Sequence, residues 1–193
     1  MDHLAVQDHP YQPDHLDAWT LISHLSALTE RIVFVTDVAD LQLRPPVMLA
    51  KAAASLSVLT GGRVRLGVGG GGIPDAIASM GGPARRGPDM VAFAEESVEL
   101  LHRALNGEVV RHHSPYHSIG GYQPGPNPPQ PVGVWLGAQK RRMLTVTGRY
   151  ADGWISPSTS MSRHTRCPPG RRSSTRRPPR PAVTPARCGA STT

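Results

Sequence analysis

The sequence predicts an α/β fold built on a parallel sheet. Three observations carry that reading: strand-like and helix-like segments alternate, their connections are short, and the strand-like segments are apolar and rich in β-branched residues, as strands covered on both faces are. Leu16, Trp19, Ile22, Leu25 and Leu28 mark a first helix, and Arg31-Ile-Val-Phe-Val-Thr36 reads as the strand after it. Pro45-Pro46 then opens a helical run through Thr60 that Gly61-Gly62 stops, with proline at the start and glycine just past the end. Arg63-Val-Arg-Leu-Gly-Val68 is the next strand. After a glycine-rich loop, a long helix from Pro88 to Asn106 carries Met90, Ala94, Val98, Leu101 and Leu105 on one face. Val132–Leu136, Gln139–Gly148 and Asp152–Ser156 follow as strand, helix and strand.

Right-handed crossovers make the strands near 31–37, 63–68, 132–137 and 152–156 parallel neighbours in one sheet. Periodicity alone leaves a closed barrel and an open doubly wound sheet equally available. The stretch Glu108–Pro131 interrupts the alternation; its Val109-Val110, three histidines and Gly/Pro-rich end point to a hairpin and loop outside the sheet.

Length and charge narrow the partners. A chain of 193 residues builds one ordinary domain with a sizeable core. The formal charge of +7 suggests a nucleic-acid or membrane-surface partner until its position is considered. Residues 162–193 hold eight Arg and no Asp, Glu or Lys, so residues 1–161 carry 13 basic against 14 acidic side chains. The body is near neutral, and no nucleic-acid or membrane partner is expected for it. The tail has Val183 as its sole large apolar side chain; one buried Val contributes about 1.5–3 kcal/mol against at least ~1 kcal/mol of backbone entropy per ordered residue. A domain over 1–161 and a disordered Arg/Pro-rich tail over 162–193 are therefore expected, the tail having the composition of a GC-rich gene read out of frame. Both cysteines, Cys167 and Cys188, fall in that tail, so no disulfide or cysteine metal site supports the body. With no apolar run of membrane-spanning length and no signal peptide, a soluble cytoplasmic protein is expected.

Gly67, Gly69 and Gly72 satisfy G-x-G-x-x-G after a strand. Three explanations stand: a dinucleotide fingerprint, a permissive turn, or a βα loop whose backbone lies close to a flat ligand. A nicotinamide-dependent (NAD or NADP) dehydrogenase on an open sheet would need a helix beginning inside that loop, which Pro74 argues against. His112, His113 and His117 lack a carboxylate or cysteine at ligand spacing, so they read as surface histidines of the hairpin and no metal is expected. Asp2-His3 places a carboxylate beside an imidazole, a pair suited to acid–base work.

Five segments in order resemble the luciferase-like monooxygenases. They are Asp2-His3-Leu4 with Thr29-Glu-Arg-Ile-Val-Phe-Val-Thr-Asp-Val38; Leu43-Arg-Pro-Pro-Val-Met-Leu-Ala-Lys51; Leu59-Thr-Gly-Gly-Arg-Val-Arg-Leu-Gly-Val-Gly69; Gly133-Val-Trp-Leu-Gly-Ala138; and Thr147-Gly-Arg-Tyr-Ala-Asp-Gly-Trp154. The resemblance selects a (β/α)₈ barrel over the open sheet and implies a partial barrel of about strands 2/3 to 6. It further implies a cofactor, coenzyme F420 (a deazaflavin) or FMN, at the C-terminal mouth, and a small organic substrate. The chemistry it implies is oxygenation of paired donors with O2, or hydride transfer. The tricyclic ring would lie against Thr36, Asp37 and Val38 and against Gly69, Gly70 and Gly71, with a cis Asp37–Val38 peptide behind it. The cofactor phosphate would meet Gly137, Ala138 and Arg142. His3 would act as catalytic proton donor, oriented by Asp2. Full-length relatives are expected to form homodimers, and this chain, matching only part of the barrel, is expected to be an incomplete, inactive fragment. The rival from another class is nucleic-acid binding through the basic tail.

Overall fold

The computed structural model describes residues 2–156; the tail expected to be disordered, with Cys167 and Cys188, and the domain boundary at 161 lie outside the described residues. Along the chain run β1 (His3–Val6), α1 (Ala18–Ala27), β2 (Val33–Thr36), β3 (Ala39–Asp40), α2 (Pro46–Thr60), β4 (Val64–Gly69), α3 (Pro74–Ser79), α4 (Gly87–Leu105), β5 (Val110–His113), β6 (Ser118–Tyr122), β7 (Val134–Gly137), α5 (Arg141–Tyr150) and β8 (Gly153–Ile155). The main sheet has the order β1-β2-β4-β7-β8, with every pair parallel and β3 beside the end of β4. The four strands read from the sequence are thus parallel neighbours.

Strand order decides between the two architectures left open above. A doubly wound sheet reverses direction at a switch point, whereas here spatial order follows chain order throughout. The sheet also curls, as half of a (β/α)₈ barrel. Three strand spacings of a flat sheet are ~14 Å, yet the rings of His3 on β1 and Trp135 on β7 stack with centroids 6.5 Å apart.

The core lies between the outer face of this sheet and its helices. Phe34, Val64, Leu66, Val68, Val134 and Leu136 pack there with Leu49, Ala53 and Leu56 of α2 and Ala94, Val98 and Leu101 of α4. Each large aliphatic or aromatic side chain so buried contributes about 1.5–3 kcal/mol. On the inner face, β2 and β4 approach so closely that a Cβ on Gly67 would collide with Thr36 O and stand 2.7 Å from Ile155 Cδ1. The Thr36 hydroxyl donates to Gly67 O at 2.7 Å, closing this contact from the other side.

Three local features depart from the sequence reading. First, a short helix that the sequence reading lacks precedes the long one: α3 starts on Pro74, since proline's missing N–H is unneeded in a first turn, while the long helix α4 begins at Gly87, next to the expected Pro88. Gly81, at φ +81°, follows the C-terminus of α3. Second, His3, which the resemblance implies to act at the C-terminal mouth, opens β1 at the other end, its register partner being Val33 at the start of β2. Third, the hairpin β5–β6 is antiparallel as expected, but His112 and His117 are half-buried rather than freely exposed. His117 Nε2 lies 2.8 Å from Ser97 Oγ, and His112 Nε2 lies 2.9 Å from Glu96 Oε1. Polar side chains on α4 give the hairpin partners that its own sequence does not reveal.

Among the described residues no helix is long and apolar enough to cross a membrane. Gly67→Ala should destabilise the fold by about 3 kcal/mol or more, because strand backbone cannot yield to the new Cβ. Gly148→Ala, in α5 with nothing within 4 Å of a new Cβ, should stabilise it by about 0.5–1 kcal/mol. Urea denaturation of both variants checks the contrast.

Candidate functional site

The C-terminal ends of the parallel strands open onto a cleft of about 1080 Å³. Loops after β1, β2, β4 and β7 border it, through Asp8 and His9, Asp37 and Val38, Gly69–Gly71, and Gly137 and Ala138 respectively. This is the end at which (β/α)₈ barrels carry their sites.

Val38 organises the floor. The Asp37–Val38 peptide is cis, as the resemblance implies. Val38 Cγ2 lies 2.7 Å from where a Gly69 Cβ would stand, and its Cγ1 lies 3.2 Å from that of Gly137. A Cβ on Gly70 would collide with Met90 Sδ of α4; on Gly71, at φ +93°, it would stand 2.5 Å from Gln42 Nε2. The protein's own side chains therefore crowd a Cβ at these positions, a reason for glycine that none of the three explanations of the run had named. Only Gly72 has open space where its Cβ would be.

Gln42 ties this loop down. Its Nε2 donates to Gly70 O at 2.7 Å and to Arg85 O at 3.3 Å, and its Oε1 accepts from Arg85 N at 2.6 Å. The Arg85 guanidinium lies 4.7 Å from the Tyr116 ring centroid and 5.3 Å from that of Phe93, with Asp89 3.0 Å from its Nη1. Through Tyr116 the hairpin thus braces one wall of the cleft.

Deeper in, the floor is acidic. Asp8, 1% exposed in its side chain, accepts from Arg44 Nε at 2.7 Å and Arg44 Nη2 at 2.8 Å. Arg44 also donates to Asp17, whose carboxylate caps α1 at Thr20 N. Burial pushes the Asp40 carboxyl up to about 6, against the backbone N–H of Gln42 and with the charge of Asp8 adding to the rise. Burial, then Asp40 and Asp8, push the Tyr11 phenol up. Tyr11 Oη lies 2.7 Å from Nδ1 of His9. The rim has the opposite sign: Lys140, Arg141 and Arg142 are exposed at the start of α5, whose first turn carries no acid. None of the three has an ion-pair partner among the described residues.

Asp37, Val38, Gly69, Gly70, Gly71, Gly137, Ala138 and Arg142, singled out from sequence, all border the cleft. Thr36 does not: it is buried, and its hydroxyl serves Gly67 O. Asp2 and His3 do not either, for they lie at the N-terminal end of β1, about 10 Å from Val6 at ~3.3 Å per residue. The second Asp-His pair, Asp8-His9, emerges at the mouth instead. Its signal was present in the sequence, as Leu4-Ala5-Val6 is the apolar run and whatever follows it lies at the strand's C-terminal end. Asp40, Gln42 and Tyr11 carried no comparable signal. Among the described residues no group of His, Cys, Asp or Glu is arranged to hold a metal ion.

The luciferase-like monooxygenase profile matches residues 1–166. The chain belongs to that family. An uncharacterized protein of Mycobacterium tuberculosis (strain H37Rv) is 32% identical over 158 residues, 76% of this chain and 53% of its own length. A phthiodiolone/phenolphthiodiolone dimycocerosates ketoreductase of the same organism is 33% identical over 161 residues, 79% of this chain and 40% of its own. The chain thus spans about half the length, or less, of these relatives. Among solved structures it is similar to an F420-dependent secondary alcohol dehydrogenase bound to an F420–acetone adduct, with a TM-score of 0.71, 20% identity, and coverage of 80% of this chain and 48% of that one. The FMN-bound oxygenating constituent of 3,6-diketocamphane monooxygenase, from the CAM plasmid of Pseudomonas putida, gives a TM-score of 0.65 at 20% identity, covering 79% and 46%. These similarities show the shared barrel fold.

Two outcomes follow from the buried charges. Arg44→Met leaves Asp8 buried without its partner and should cost about 3–5 kcal/mol in urea denaturation. Asp40 binds its proton more tightly folded, at about 6, than at the ordinary 3.8 of the unfolded chain. Its contribution to stability therefore falls as pH rises from about 4 to about 6, and the loss is complete above that. Asp40→Asn should flatten this window and raise stability at pH 7 by on the order of 2 kcal/mol; denaturation midpoints from pH 4 to 8 check it.

Proposed function

We propose that the cleft holds a reduced or oxidised deazaflavin or flavin, coenzyme F420 or FMN, and that the protein is an oxidoreductase moving a hydride between that cofactor and the carbonyl or carbinol carbon of a small organic substrate. One observation carries the reading: a protonatable pair, His9 and Tyr11, lines the same cleft as an apolar surface made by Val38 and a basic rim that has no ion-pair partner among the described residues. The ketoreductase among the relatives supports the choice of a carbonyl substrate.

The residues present fit such a cofactor. Val38, packed over Gly69 and Gly137, offers a flat apolar surface to a ring system. Lys140, Arg141 and Arg142, with the free N–H groups of the first turn of α5, suit an anionic phosphate arm. The bound cofactor would supply the hydride chemistry, which no side chain here can perform. The chain's own residues do the rest. The imidazole of His9 holds the proton that a substrate oxygen gains on reduction or loses on oxidation. Asp8, locked by Arg44, keeps the end of β1 in place so that His9 stays at the mouth. Gln42 keeps the Gly69–Gly71 loop from moving into the space for the ring.

Binding is the first readout, and turnover by the 193-residue chain would overturn the expectation that it is inactive. Fluorescence titration of the 193-residue chain with coenzyme F420 and with FMN should show saturable binding of one of them. Arg142→Glu should weaken it about 10-fold or more, by placing a like charge beside the phosphate. Binding of neither cofactor overturns the proposal. With the reduced cofactor bound, anaerobic oxidation by a simple ketone marks hydride transfer, and His9→Gln should slow it about 100-fold or more. Oxidation that requires O2 and ignores the ketone marks oxygenation and overturns the assignment to hydride transfer.

A further inference from the structure

The contact between His9 and Tyr11 has a chemical consequence for the donor at the cleft. An imidazole carries its single neutral-form proton on either ring nitrogen, and the partner of one nitrogen decides the state of the other. Here Nδ1 has a partner, the Tyr11 hydroxyl at 2.7 Å. An imidazole lone pair is a stronger acceptor than a phenol oxygen, and a phenol O–H is a stronger donor than a neutral imidazole N–H. The surroundings reinforce that direction: burial and the charges of Asp40 and Asp8 push the phenol up, so Tyr11 keeps its proton. The two rings lie tilted with centroids 5.4 Å apart, and the His15 ring stands 6.2 Å from His9 on the same loop.

We infer that Tyr11 is a positioning residue: its hydroxyl donates to Nδ1 of His9 and holds the imidazole in the tautomer whose Nε2 bears the proton. Nε2–H is then the donor left for a substrate oxygen. This rests on the proposed function for its use in turnover, though not for its existence, because the hydrogen bond belongs to the chain alone. Losing Tyr11 would leave His9 in the cleft with both tautomers available and its ring free to turn. The effect would fall on proton delivery, with the floor and rim of the cleft intact.

Imidazole ¹⁵N spectra of the full 193-residue chain, without cofactor and at a pH where the histidines are neutral, read the tautomer directly. The His9 signals are those lost in His9→Gln. The wild-type chain should show Nδ1 unprotonated and shifted by an accepted hydrogen bond, with the proton on Nε2. In Tyr11→Phe that hydrogen-bond shift should disappear and a second tautomer should become populated, while the other histidines keep their shifts. A wild-type His9 protonated on Nδ1 overturns the inference, as does a Tyr11→Phe spectrum identical to wild type. If Tyr11→Phe fails to fold, the wild-type spectrum alone decides. A chain that binds neither coenzyme F420 nor FMN yet shows the Nε2–H tautomer sinks the proposed function and leaves this assignment standing.

Discussion

A buried carboxylate, Asp8, needs a counter-charge, and most of the cleft is arranged around the one it has. Leaving such a group unpaired costs several kcal/mol, so the end of β1, the start of α2 and the cap of α1 are bound to one guanidinium. Arg44 reaches Asp8 through two nitrogens and Asp17 through one of them. Asp8 directly precedes His9, and Arg44 lies four residues after Asp40. One ion pair therefore places both the imidazole and the buried carboxyl with respect to the sheet. Such a pair is weak evidence for net stability, since desolvation offsets much of its attraction. Its effect is geometric: it holds the loop after β1 to one position.

The glycines of the mouth have a related explanation. A run of four glycines after a strand invites a reading in terms of ligand approach, and these residues do border the cleft. Their missing side chains are nevertheless matched by Val38, Met90, Gln42 and Ile77. The folded chain already crowds a Cβ at Gly69, Gly70 and Gly71, though not at Gly72, before any ligand arrives. The shape of the floor is thus a property of the folded chain, already formed when a ring system would enter, which lowers the cost of ordering the site on binding.

Charge divides the cleft in depth. Acids lie at the floor, where Asp8 is paired with Arg44 and burial lets Asp40 keep its proton up to about pH 6. Cations lie at the rim, where water screens them until an anion displaces it. A ligand with an apolar ring and an anionic arm is oriented by that division, arm outward and ring inward. The hairpin β5–β6 adds support at one wall by stacking Tyr116 on Arg85, a contact that the basic composition of the wall alone does not imply.

Much of the fold was legible in sequence because it follows from local rules. Apolar β-branched runs marked β2 and β4, Pro45-Pro46 and Gly61-Gly62 bounded α2, and the spacing of Met90, Ala94, Val98 and Leu101 marked the inward face of α4. The short strand β1 was harder. One Asp-His pair sits at each end of it, and the apolar run Leu4-Ala5-Val6 between them puts Asp8-His9 at the C-terminal end, in agreement with the parallel register of His3 with Val33. The resemblance implied that Thr36, at the end of its strand, faces the ring, whereas the close approach of β4 at Gly67 turns its hydroxyl to a backbone carbonyl. The chain's own pattern thus determined the elements, their order and the loops that border the mouth. The pairings of Asp8 with Arg44, His9 with Tyr11 and Val38 with Gly69 and Gly137 were decided by tertiary structure, because they join residues from different loops whose distance is set by the curl of the sheet or, for His9 and Tyr11, by a turn with no sequence period of its own.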